Sequence, residues 1–122
     1  MNTDRQIREA AKKIARYLDD RKAQVIKILD VRKISGVTDY FILATGTSTT
    51  HVVRCAEQTK KHFKKDNISP LHKEGLQKES RWVVLDYGPI IVHMLTEDVR
   101  NWYELDTYWE GAKKVSWKKK VD

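Results

Sequence analysis

Two apolar runs, Trp82-Val83-Val84-Leu85-Asp86 and Ile90-Ile91-Val92-His93-Met94-Leu95, flank Tyr87-Gly88-Pro89, and no other feature of the chain restricts its fold as tightly. Gly88 can adopt the positive φ that the first central position of a type II′ turn needs, and Pro89 suits the second. The segment therefore reads as a β-hairpin with a two-residue turn. That register sets Tyr87 opposite Ile90, Leu85 opposite Val92, Val84 opposite His93 and Trp82 opposite Leu95. Asp86 and His93 then lie diagonally on one face, beside Trp82. Three readings of that face stand open: an acid/base pair, which would make the chain an enzyme; a sheet surface that docks on another macromolecule with Trp82 as anchor; and a structural histidine bonded to a neighbouring carboxylate. The structural reading is favoured over the dyad, because neither Ser48 nor Cys55 is tied locally to the hairpin as a nucleophile.

The rest of the chain supplies helices and strands in alternation. Ile7, Ala11, Ile14, Ala15 and Leu18 recur at helical spacing over Asp4 to Leu18, with Thr3 or Asp4 as cap. Gln24 to Val31 reads as a strand. Asp39-Tyr40-Phe41-Ile42-Leu43-Ala44 reads as a central strand buried on both faces, joined to the first by an antiparallel turn at Ser35-Gly36. After Gly46-Thr47-Ser48-Thr49-Thr50, a hydroxyl cluster ready to cap, Val52, Ala56, Thr59 and Phe63 mark a second helix. A short strand over Leu71 to Glu74 precedes the hairpin, and a helix from Thr96 to Tyr103 follows it. The aromatic Trp102, Tyr103, Tyr108 and Trp109 cluster behind that helix. This order predicts one α/β domain over 1–112, with a mixed sheet flanked by two or three helices, and a basic tail over 113–122.

Composition sets bounds on function. A chain of 122 residues can bury a core without staples, and its lone cysteine, Cys55, excludes an intramolecular disulfide and suits a reducing compartment. Met1 to Arg16 has no apolar run, so neither a signal peptide nor a membrane anchor is expected, and a cytoplasmic location is. The net charge of +7 favours polyanionic surroundings. Arg5, Arg8, Lys12, Lys13 and Arg16 on the first helix, and Lys60, Lys61, Lys64 and Lys65 on the second, are read as solvated faces, since no motif for DNA or RNA recognition is present.

Other motifs are weak. Gly46-Thr47-Ser48 before a helix resembles a phosphate site but lacks the P-loop lysine, the three glycines of a dinucleotide fingerprint and the Asp-x-Asp of a metal-dependent nucleotidyltransferase. A structural strand-to-helix turn is the favoured reading. His51 and Cys55, four apart, have the spacing of two metal ligands or of a thiolate and its base, but no third ligand accompanies them. No metal and no cofactor are expected. Trp117 and the lysines around it offer a peripheral contact to RNA or a disordered terminus.

Taken in order, Asp39 to Ser48, His51-Val52, Glu74-Gly75, Trp82, Asp86-Tyr87-Gly88, Val92-His93 and Arg100…Tyr103-Glu104-Leu105…Trp109 resemble the ribosomal silencing factor (RsfS, Iojap) family from about Val25 to Trp109. The resemblance implies a nucleotidyltransferase-like topology without catalytic carboxylates, and no enzymatic activity. It also implies a translational repressor that binds the large ribosomal subunit through its intersubunit-face protein uL-fourteen, sterically blocks the small subunit from joining, and aids large-subunit assembly. Family members are cytoplasmic in bacteria and often homodimeric when free. The chain departs from the family at Pro89, where Asp is usual, at Thr50, where Arg is frequent, and at Tyr108, where Leu is common. On this reading the partner-binding residues are Trp82, Tyr87, Gly88, Glu74, His93 and Arg100. The alternative is a nucleotide-binding enzyme of nucleotidyltransferase type that uses Gly46 to Ser48 and Asp86.

Overall fold

The computed structural model describes residues 3–118. Helix α1 (Asp4–Asp20) opens on a reciprocal cap: Thr3 Oγ1 accepts from the Gln6 N–H at 3.1 Å, and Gln6 Oε1 accepts from the Thr3 N–H at 3.2 Å. Two donors that a helix start leaves orphaned are thereby satisfied. Ile7, Ala10, Ala11, Ile14, Ala15 and Leu18 form its buried stripe. Helix α2 (Thr49–Lys64) is capped by Ser48, whose Oγ accepts from the His51 N–H at 3.1 Å. It buries Val52, Cys55, Ala56, Thr59 and Phe63. Both helices match the periodicity of their apolar residues.

Among the described residues, six strands form one mixed sheet: β1 (Gln24–Asp30), β2 (Tyr40–Gly46), β3 (His72–Glu74), β4 (Trp82–Asp86), β5 (Ile90–Thr96) and β6 (Lys113–Val115). Their spatial order is β3-β4-β5-β2-β1-β6. Among the described residues, only β2 and β5 run parallel, in register from Tyr40↔Ile90 to Gly46↔Thr96. The hairpin of β4 and β5 has the register its turn requires, with Trp82↔Leu95, Val84↔His93 and Leu85↔Val92 paired, the Tyr87 N–H donating to Ile90 O at 2.8 Å, and Gly88 at φ 92°. β1 and β2 are antiparallel neighbours, and β2 is central, as expected.

The two faces of the sheet are covered differently. Ile28, Tyr40, Ile42, Ala44, Val83, Leu85, Ile90, Val92 and Met94 join the stripes of α1 and α2 in one large core. The alternate residues Leu29, Val31 and Leu43 form a second, smaller cluster, capped by Phe41, Leu105, Trp109 and Ala112. Helix α3 (Glu97–Trp102) and the one-turn α4 (Leu105–Tyr108) lie on that second side. Among the described residues, no helix is long and apolar enough to cross a membrane.

The expected tail is divided. Lys113–Val115 pair with Asp30, Leu29 and Ile28 as an edge strand, so the sheet continues past residue 112. Trp117 is only 9% exposed; its indole N–H donates to Ile26 O at 3.2 Å, and its own carbonyl accepts from Arg16 Nε at 2.7 Å. It is built into the fold rather than free to stack on RNA. Lys119 and Lys120 lie outside the described residues.

Gly46 shows how closely α2 approaches the sheet, since a Cβ there would sit 2.6 Å from Val52 Cγ2 and 3.1 Å from Val52 N. Gly46→Ala is expected to cost about 2 kcal/mol through overpacking. A fall in the urea midpoint with the m-value unchanged would show it.

Candidate functional site

The second face carries a run of edge-on and tilted rings that crosses three strands. Tyr103 meets Trp82 at a centroid distance of 5.2 Å, Trp82 meets His93 at 5.9 Å, and His93 meets Phe41 at 5.2 Å. Phe41 then meets Trp109 at 4.8 Å, and Trp109 meets Tyr108 at 4.9 Å. The sequence of rings follows the sheet order β4-β5-β2, because Trp82, His93 and Phe41 all project from the face opposite α1 and α2. Tyr103 and Trp109 close the ladder from the ends of α3 and α4. Tyr108, 75% exposed, and Tyr103, 57% exposed, extend it into solvent, and Trp102 adds a further indole at 82%.

His93 is locked within this ladder. The Trp82 indole N–H donates to His93 Nδ1 at 3.1 Å, which requires the neutral ring with its proton on Nε2. Burial pushes the His93 pKa down from 6.5 to about 4. The partner of His93 is thus an indole and not a carboxylate, which corrects both the dyad and the histidine–carboxylate readings. Asp86 is engaged locally: its Oδ1 accepts from the Gly88 N–H at 2.8 Å and fixes the hairpin turn.

The residues singled out from the sequence separate into three groups. Trp82, His93 and Glu74 share one face, since Glu74 pairs with Val84 and Val84 with His93; Glu74 is exposed at the sheet edge and contacts His72 Nε2 at 3.0 Å. Gly88 lies in the turn, where its carbonyl accepts from Thr38 Oγ1 at 2.9 Å. Tyr87 and Arg100 are turned inward. Tyr87 follows Asp86 by one position and so points to the helix-covered side, 4% exposed, where burial raises its phenol to about 12. Its hydroxyl has no hydrogen-bond partner among the described residues.

Arg100 is 3% exposed and works as a fastener. Its Nε and Nη2 reach the two oxygens of Asp106 at 2.8 Å each, and its Nη1 donates to Val25 O at 2.7 Å and Thr45 Oγ1 at 3.0 Å. Lys27 Nζ adds a contact to Asp106 at 2.6 Å. The Arg100 guanidinium, with Lys27, holds the Asp106 carboxyl well below the usual carboxylate range. Arg100 therefore ties α3 and α4 to β1 and β2 and presents no guanidinium to a partner.

Phe41, Tyr103, Tyr108 and Trp109 complete the surface, although none of them is among the partner-binding residues expected from the sequence. Four aromatics between residues 102 and 109 were the available signal. Phe41 gave none, since an apolar residue in an apolar strand does not disclose its side.

The remaining motifs are occupied internally. Thr47 N–H donates to His51 Nδ1 at 2.9 Å and the His51 N–H donates to Ser48 Oγ at 3.1 Å, so the Gly46-Thr47-Ser48 turn and the first turn of α2 cap each other. His51 Nε2 and Cys55 Sγ both donate to Arg21 O, at 2.8 and 3.5 Å, and burial pushes the Cys55 thiol up to about 11. Among the described residues, no three His, Cys, Asp or Glu side chains converge to hold a metal.

A family model described as "Ribosomal silencing factor during starvation" matches residues 4–122. The chain is 36% identical over 94 residues to the ribosomal silencing factor RsfS of Bacillus subtilis, covering 77% of this chain and 79% of that protein. It is 30% identical over 95 residues to the mouse protein named mitochondrial assembly of ribosomal large subunit protein 1, covering 75% of this chain and 41% of that one. A crystal structure of a Chromobacterium violaceum protein superimposes with a TM-score of 0.79 at 28% identity, covering 92% of each chain.

Two measurements probe the site's chemistry. The unfolded His93 titrates near 6.5 and the folded one near 4, so between those values the unfolded chain binds the extra proton. Stability should therefore be complete above pH 6.5, fall by up to about 3 kcal/mol as pH drops towards 4, and level off below. His93→Gln should flatten that limb of the denaturation profile. Tyr87→Phe, which removes a buried hydroxyl without a partner, should hold or raise stability by about 1 kcal/mol.

Proposed function

The chain belongs to the family of ribosomal silencing factors, and from that premise we propose that it is a non-enzymatic translational repressor that docks on the large ribosomal subunit. The aromatic ladder on the second sheet face carries this reading. Trp82 is held rigid by His93 and Tyr103, and the ladder to which it belongs ends in the exposed rings of Tyr103 and Tyr108. Rings that are already ordered present large contact area at small entropic cost, which is the property of an interface anchor. Glu74 and His72 supply polar edge contacts, and Gly88 shapes the turn beside them.

The docking partner in this reading is the large-subunit protein uL-fourteen, and occupancy of that site excludes the small subunit sterically. The protein acts in the cytoplasm and uses no cofactor. The name of the mouse relative speaks of large-subunit assembly, a role that the same docking reaction would serve. A nucleotidyltransferase reading has less support, since the Gly46 turn is capped internally and Asp86 is committed to Gly88.

Co-sedimentation with isolated large subunits and light scattering during subunit joining test the proposal together. Wild-type protein should inhibit joining stoichiometrically, saturating near one copy per large subunit, with no requirement for nucleotide or magnesium. Trp82→Ala should weaken binding by about 2 kcal/mol, roughly 30-fold in Kd, and reduce inhibition in proportion. Inhibition well below stoichiometry that depends on nucleotide would overturn the steric mechanism. So would a folded Trp82→Ala variant that binds as tightly as wild type.

A further inference from the structure

Charge is not spread evenly over this fold. Residues 4–22 and 49–66, which make α1, α2 and the turns that close them, hold twelve basic side chains against six acidic, whereas the rest of the chain holds twelve against eleven. Almost all of the net +7 therefore lies in the helix layer. The two helices are direct neighbours: Tyr17 Oη donates to Gln58 O at 3.3 Å, and the Tyr17 ring stacks on His62 with centroids 4.2 Å apart. What the sequence presents as two separate solvated faces lies side by side as one layer with a net positive charge, its seam lined by Lys13, Arg16 and Arg21 together with Asp19, Asp20 and Asp66.

The individual cations are available. Among the described residues, ion pairs engage only Arg8 and Lys12 of those twelve. Lys13 on α1, and Arg54, Lys61 and Lys65 along α2, are all exposed. The spacing of the last three places them on one line of the helix, opposite the buried Val52, Ala56, Thr59 and Phe63.

We infer that this basic helix layer is a second interaction surface, which takes the phosphate backbone of double-helical RNA. Three observations select that partner. An anionic membrane favours cations accompanied by inserted apolar side chains, and none of the large hydrophobics exposed among the described residues belongs to α1 or α2. The same lack removes the aromatic anchors on which a protein interface centres. Splayed single-stranded bases need a free ring to stack on, and Tyr17 is already stacked on His62 and half-buried. What is left is unpaired positive charge on a rigid scaffold, suited to phosphates held at fixed spacing and indifferent to base sequence. The surface lies on the far side of the sheet from the aromatic ladder, so the inference stands apart from the docking reading, and both surfaces can be occupied together.

The test is fluorescence anisotropy of a labelled RNA hairpin of arbitrary duplex sequence, titrated with the full chain across a salt series. Wild type should bind with an affinity that falls steeply with salt. Combining Lys13→Gln, Arg54→Gln, Lys61→Gln and Lys65→Gln should lower affinity at least about tenfold at low salt and flatten the log–log salt slope by about 3 to 4. All four are exposed, so the melting temperature should stay at the wild-type value, and the pair Lys61→Gln with Lys65→Gln should give about half of the effect. A control with Lys113→Gln and Lys114→Gln, on the edge strand β6, should lose much less than the Lys61 and Lys65 pair, and Trp82→Ala should bind the hairpin as wild type does. The inference is overturned if wild type does not bind the duplex, if the control loses as much as the Lys61 and Lys65 pair, if Trp82→Ala loses as much, or if phosphatidylserine vesicles compete the hairpin away.

Discussion

Seven residue pairs join β2 to β5 in parallel, and the rest of the architecture follows from that seam. Parallel neighbours cannot be linked by a tight turn, so the chain must leave the end of β2 and return to the start of β5. Helix α2 and the antiparallel β3 and β4 fill that excursion, and α2 lies over the same face on which α1 packs. Gly46 lets the crossover begin without a side chain between strand and helix. Both long helices are then committed to one side of the sheet.

The other side must be covered with less. Helices of six and four residues are too short to hold themselves together, and the second cluster they cap is small. Arg100 meets this deficit by bonding Asp106, Thr45 and the carbonyl of Val25 from a buried position. Val25 sits at φ 47°, a conformation that a β-branched residue rarely adopts, at the point where the β1 register shifts. The strain there is matched by a short charge-assisted bond from the guanidinium. Incomplete cover is also what leaves the ladder from Tyr103 to Tyr108 at the surface, so the limit of the fold and the candidate site have one origin.

The layers differ in chemistry as well as in cover. One outer surface is helical and charged, and among the described residues its helices expose no large apolar side chain; the other is aromatic and ordered by ring contacts. His93 belongs to the second because it is neutral and desolvated, and it serves as the acceptor that orients Trp82.

Local chemistry in the sequence determined the caps at Thr3 and Ser48, the apolar stripes of α1 and α2, the β1–β2 connection and the register of the β4–β5 hairpin. Each of these depends on residues close together in the chain: a hydroxyl three residues from its donor, a repeat every three or four residues, a glycine and a proline in one turn. Tertiary structure alone decided which face of each strand would meet the long helices. That choice made Tyr87 core and Trp82 surface, although both belong to one hairpin. It also buried Arg100, whose partners lie as far away in sequence as Val25, and it recruited the lysine-rich Lys113–Val115 as a strand through backbone bonds that do not depend on side-chain type. Periodicity states that neighbouring strand residues face opposite ways; only the packing of the whole chain states which way is in.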